Sequence, residues 1–87
     1  MAIDKHFLEM RGMPHRDLEE YFLEIGGEKV RKGTYLGPNW EVELSDEWIC
    51  KLGSLQITAT LVTFRVDAKD WLEILKAFRL RFLSAGG

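Results

Sequence analysis

One cysteine, two prolines and no apolar run of bilayer-spanning length set the first limits on this 87-residue chain. Cys50 stands alone and forms no internal disulfide. No basic segment followed by an apolar stretch opens the sequence as a secretory signal would, so a cytoplasmic protein is expected. A membrane helix needs about eighteen or more consecutive apolar residues, and their absence excludes a membrane-embedded role. Cations are not in excess: 12 Lys and Arg against 14 Asp and Glu leave a net charge of −2. That argues against nucleic acid as a partner, because neutralising phosphates takes several clustered cations. His6, His15 and Cys50 lie far apart and show none of the short ligand spacings of a zinc or iron site, so no metal and no cofactor are expected.

What is present is core-forming material. Five Phe, three Trp and two Tyr within a 46% hydrophobic composition exceed what a disordered chain carries. A domain of this length buries roughly 60 to 65% of its unfolded surface around one core, so residues 1–87 read as a single domain. Ile3 to Arg11 alternates as a strand, with His6, Leu8 and Met10 on one face and Phe7 and Glu9 on the other. Gly12-Met13-Pro14 breaks it. From 14 to 25, Leu18, Tyr21, Phe22 and Ile25 fall at helical spacing on one stripe, while Glu19, Glu20 and Glu24 read as a solvated face, and Gly26-Gly27 ends the helix.

The period then changes. Lys29 to Leu36 reads as one strand, Trp40 to Leu44 as its hairpin mate, and Trp48, Cys50 and Leu52 as the inward face of another strand. Gly53-Ser54 turns into the long stretch Leu55 to Asp67. There Leu55, Ile57, Ala59 and Leu61 share one face before the phase switches to Val62, Phe64 and Val66, which predicts a bulge or bend near Leu61-Val62. With Asp67 as N-cap, Trp71, Ile74, Leu75, Phe78 and Phe82 form the stripe of a last helix over 68–83. The expectation is an α+β fold: one curved antiparallel sheet with two helices, in the order β-α-β-β-β-β-α.

Gly12 and Pro14 before the first helix, Leu18-Glu19-Glu20-Tyr21 within it, Gly26-Gly27 at its end, Gly33 with Tyr35, Lys51-Leu52-Gly53-Ser54-Leu55 with Ile57, and Trp71 together carry a family likeness. Over nearly the whole chain they resemble the C-terminal domain of the MoaD-related proteins. In those proteins the domain follows a ubiquitin-like sulfur carrier of the molybdopterin synthase small-subunit type; here it is expected to stand alone. The resemblance implies a TATA-binding-protein-like sheet and a link to molybdenum-cofactor biosynthesis, and it brings no catalytic residues.

Three functions are weighed. The preferred one is a non-enzymatic accessory or protein-interaction domain. It would meet a molybdopterin-pathway or sulfur-carrier component through an exposed strand edge or helix face, and such an edge also suits a symmetric homodimer. The second is a sulfur carrier ending in a Gly86-Gly87 thiocarboxylate, against which stands the strongly helical segment before those glycines. The third is a small-ligand binder, with Trp40, Trp48, Trp71 and Phe78 lining a cavity between sheet and last helix and Lys29, Arg31 and Lys32 meeting an anionic group. Packing and edge protection are the plain readings of those two sets. Cys50, expected inside, behaves as a small hydrophobe, and Glu41 and Glu43 as exposed carboxylates are no candidates for acid–base work.

Overall fold

Alternation makes the first strand, β1 (Ile3–Arg11), and Pro14 occupies the N-cap position of α1 (His15–Glu24), in the computed structural model that describes residues 2–82. The amides of Gly26 and Gly27 close α1 on the carbonyls of Leu23 and Phe22 at 3.3 and 2.8 Å. Beyond them run β2 (Glu28–Arg31), β3 (Thr34–Leu36), β4 (Trp40–Leu44), β5 (Trp48–Leu52), β6 (Leu55–Asp67) and α2 (Trp71–Phe82). Two helices and one open antiparallel sheet of six strands give the α+β class expected.

The run expected as a single strand over Lys29–Leu36 folds instead as a tight hairpin, β2 against β3, so five strands rather than four separate the helices. Gly33 explains the turn. Its φ of +77° is a left-handed conformation that side chains rarely adopt, and its carbonyl accepts from the Leu44 amide at 2.7 Å. The last helix begins at Trp71, after a turn in which the Asp67 carboxylate accepts from the Lys69 amide at 3.1 Å.

The sheet order is β1-β6-β4-β3-β2, and β5 pairs with β6 alone. β6 is the spine: its upper half, Leu61 to Asp67, lies between β1 and β4, and its lower half, Leu55 to Ala59, pairs with β5. One face carries the core. Leu18, Tyr21 and Phe22 of α1 and Phe78 and Phe82 of α2 pack there against Met10, Tyr35, Trp40, Val42, Leu44, Val62, Phe64 and Val66. Tyr21, Phe22, Phe64 and Phe78 make edge and stacked ring contacts at 5.2 to 5.9 Å between centroids.

The predicted bulge at Leu61-Val62 is absent from β6, which pairs with β1 in unbroken register from Ile3↔Asp67 to Arg11↔Ala59. Both halves of the spine therefore keep strict alternation. Val62, Phe64 and Val66 face the helices while Leu55, Ile57, Ala59 and Leu61 face the other way. The irregularity lies across the sheet. Leu44 opposes Val62 and Trp48 opposes Ala59, so residues 45–47 carry one residue more than the spine beside them, held by Ser45, whose Oγ accepts from the Leu61 amide at 2.8 Å.

Candidate functional site

Opposed residues of an antiparallel pair share a face, so the register places Trp48, Cys50 and Leu52 beside Ala59, Ile57 and Leu55 on the helix-free face. This corrects the inward orientation expected for Trp48 and Cys50. Trp48 is 40% exposed, Leu52 46% and Leu55 65%, and Cys50 is half-buried. The physical reason is the missing bulge: without it, the lower half of β6 presents its apolar side away from the helices, and β5 must match that side. Ile49, on the opposite face, is also exposed. Below Ala59 the spine has lost β1 as a neighbour, so β5 and the end of β6 project as a two-stranded arm, apolar on the helix-free face and carrying Ile49 among Lys51, Gln56 and Thr58 on the other. The molecule is elongated, 46 × 28 × 21 Å.

The upper part of the same face is charged. Arg65 on β6 donates to Glu43 and lies 3.4 Å from Glu41, both on β4, so the two carboxylates read as exposed are half-buried and bridged. The hydrogen bond from Arg65 is the main cause that holds the Glu43 carboxyl below its ordinary value.

A cavity of about 230 Å³ opens between α1, α2 and the loop before β4, lined by Phe22, Pro38, Trp40, Phe64, Ile74 and Phe78 among others. Of the four aromatics assigned to a cavity from sequence, Trp40 and Phe78 line this one. Trp71 instead stacks on His6, with 3.8 Å between centroids and parallel planes, and Trp48 is on the arm. Trp40 lies over Gly37, where any Cβ would overlap its ring. Small-molecule sites usually fall between about 300 and 1,000 Å³, and this cavity is smaller.

The basic trio separates. Lys29 lies 3.1 Å from Glu19, and Lys32 lies 3.7 Å from Asp46 with both side chains almost fully exposed. Arg31, outside that group, is among the cations acting on Glu43. Lys29 and Lys32 share a depression of about 380 Å³ with His15, Glu19, Tyr35 and Asp46, in which acids match bases. Glu19, read from sequence as solvated, accepts a hydrogen bond from the hydroxyl of fully buried Tyr35. That bond first, and Lys29 second, pull its carboxyl below the usual value, while burial and Glu19 push the Tyr35 hydroxyl upward. Among the described residues no group of three or more His, Cys, Asp or Glu side chains is placed to hold a metal ion, and no helix is long and apolar enough to cross a membrane. Gly86 and Gly87 lie outside the described residues.

The family model described as archaeal MoaD-like protein matches residues 6–87, which takes in every helix and strand except the start of β1. The chain belongs to that family. No curated protein matches it. The surface of this MoaD-like chain that the sequence pattern does not single out is the arm, with Ile49, Leu52, Leu55 and Ile57. For Leu55 and Ile57 the signal is the phase switch at Leu61-Val62, which marks apolar residues on both faces of β6, while Ile49 and Leu52 on β5 carry none.

Proposed function

We propose that this MoaD-like chain is a non-catalytic protein-interaction domain of sulfur-carrier metabolism, linked through its family to molybdenum-cofactor biosynthesis, and that the arm formed by β5 and the end of β6 is its working surface. The observation that carries this reading is the concentration of exposed Trp48, Ile49, Leu52 and Leu55 on a two-stranded projection. Exposed apolar groups gathered on one element mark contact sites, whereas scattered ones do not. A bare two-stranded ribbon is also marginal in water, so an arm of this kind is stabilised by what it touches. The aromatic cavity lies below the usual volume of a ligand site, and the depression, though within it, has its cations already matched by Glu19 and Asp46.

The partner expected is a ubiquitin-like sulfur carrier or its adenylating enzyme. Titrating each, purified from the same source, against the full chain should give saturable binding. The double variant Leu52→Glu with Leu55→Glu should weaken that binding by at least about tenfold, or 1.4 kcal/mol. Equal binding by wild type and variant, or no binding to either protein, sinks the proposal. Purifying the chain beside the adenylating enzyme tests the carrier alternative directly, since an oxygen-to-sulfur exchange at Gly87 would appear in the intact mass.

A further inference from the structure

The outer sides of β1, β2 and β5 have no strand partner among the described residues, nor has the end of β6 below Ala59, where the Gly12 amide reaches the Thr58 carbonyl at 2.7 Å, and these edges are not alike. β1 carries Asp4, Lys5, Glu9 and Arg11 along its length. β2 is short, carries Glu28, Lys29 and Arg31, and shifts register between Lys29 and Arg31. Charge and irregularity are how natural sheets guard their edges against further pairing. β5, Trp48-Ile49-Cys50-Lys51-Leu52, has a regular register and one charge.

We propose that β5 is a dimerisation edge: two copies of this chain pair their β5 strands antiparallel about a two-fold axis through Cys50, continuing the sheet from one copy into the other. The inference rests on the reading of the arm as an interaction surface and names an occupant for its edge. The two-residue turn Gly53-Ser54 makes Leu52 and Leu55 a hydrogen-bonded pair, so by alternation Ile49 and Lys51 turn their backbone N–H and C=O groups to the free side.

The register follows from charge and space. A two-fold axis perpendicular to the sheet keeps each side chain on its own face, so it must pass through a residue position and not between two. Centred on Lys51, the axis would set two ammonium groups directly opposite each other, which is destabilising. Centred on Ile49, it would carry the second copy's Gly53-Ser54 turn opposite Ser45 and Leu44, where Gly33 already occupies the edge through its bond to the Leu44 amide. Centred on Cys50, the turn stops opposite Glu47 and Asp46, short of Gly33. Ile49 then exchanges backbone bonds with the second copy's Lys51, and Trp48 meets its Leu52. The two Lys51 ammonium groups then stand on a diagonal and not directly opposed, each also diagonal to the other copy's Glu47, whose carboxylate accepts from its own His15 amide at 2.9 Å. The helix-free apolar faces of the two arms join into one. Five residues a side are fewer than the roughly 20 to 30 of a standard interface, so the dimer is expected to dissociate on dilution.

Sedimentation of the full chain over a concentration series should show the mass doubling. The two Cys50 residues form a non-hydrogen-bonded pair with Cα atoms about 4.5 Å apart, inside the disulfide range. Diamide, which takes up the two thiol hydrogens, should therefore cross-link the dimer. Ile49→Pro removes an outward-facing N–H that the pairing with β6 does not use, and an edge strand tolerates proline at such a position. It should keep the circular dichroism of the wild type and lose both the doubling and the cross-link, while Cys50→Ser should keep the doubling alone. A wild-type chain that stays monomeric at millimolar concentration overturns the proposal. So does a dimer that Ile49→Pro leaves intact, or one that diamide fails to cross-link. Carrier binding without dimerisation would overturn this inference and leave the proposed function standing; dimerisation without carrier binding would do the reverse.

Discussion

Tyr35 is the largest wholly buried side chain, and its hydroxyl reaches the edge of the fold only by donating to Glu19. A buried hydroxyl without an acceptor is costly, and a hydrogen bond to a charged group contributes about 1.5–3 kcal/mol. Glu19 keeps 30% of its side chain in water, so the lower end of that range applies. The folded state holds the Glu19 carboxyl below its ordinary value. Its contribution is therefore fully present above the unfolded value and is lost as pH falls through the folded one. Tyr35→Phe should accordingly lower the urea midpoint at neutral pH and have a much smaller effect near pH 2, below the ordinary carboxylate range. An effect of equal size at both values would show that the bond's worth does not depend on the charge of Glu19. Glu19 was legible in the sequence only as a polar position on α1. Its partner arrives from β3, 16 residues away, and nothing local marks the pair.

At the scale of elements, β6 divides into two environments. From Val62 to Val66 it lies between β1 and β4 under the helices, whereas from Leu55 to Ile57 it has β5 alone. Regions with few buried contacts and exposed backbone bonds open locally at lower free energy than a covered core. In hydrogen exchange the arm amides should exchange at least about tenfold faster than those of Val62 to Val66, a gap of 1.4 kcal/mol. Uniform protection along β6 would mean that the arm is not a separate opening unit. The helices were legible in the sequence because their stripes at 3.6-residue spacing agree with burial at Leu18, Tyr21 and Phe22 in α1 and at Phe78 and Phe82 in α2, although Ile25, expected on the first stripe, lies past the end of α1 and is exposed. The hairpin of β2 and β3 was hidden inside one polar run, since the turn rests on Gly33 and on a bond to distant Leu44.

Across the whole molecule, one aromatic cluster holds both helices to the sheet. Phe78 has Phe22, Phe64, Tyr21 and Phe82 within 4.9 to 5.8 Å of its ring centroid. Phe78→Ala removes those contacts and leaves a cavity, at about 3–5 kcal/mol. Stability per residue scaled to this length is roughly 4–13 kcal/mol. The variant should thus lose a large share of its margin, seen as a thermal midpoint lower by roughly ten degrees or more. A midpoint within a few degrees of wild type would mean that the cluster relaxes to fill the space.

The amino-acid sequence by itself determined the class of the fold, the two helices and their buried faces, and the strand character of nearly every remaining segment. These depend on period, turn chemistry and apolar pattern over a few neighbouring residues. It also carried the family likeness, in turns and core aromatics. Only the tertiary structure decided which way the second half of the sheet faces. Leu55 to Leu61 and Val62 to Val66 each alternate correctly, and a bulge or a change of covered face would satisfy that pattern equally. The choice falls to pairing: unbroken register with β1 keeps β6 straight in phase, the extra residue goes to 45–47, and Trp48, Cys50 and Leu52 turn outward. A single step of register moves every side chain of a strand to the other face, and register is set by distant partners that no local stretch of sequence contains.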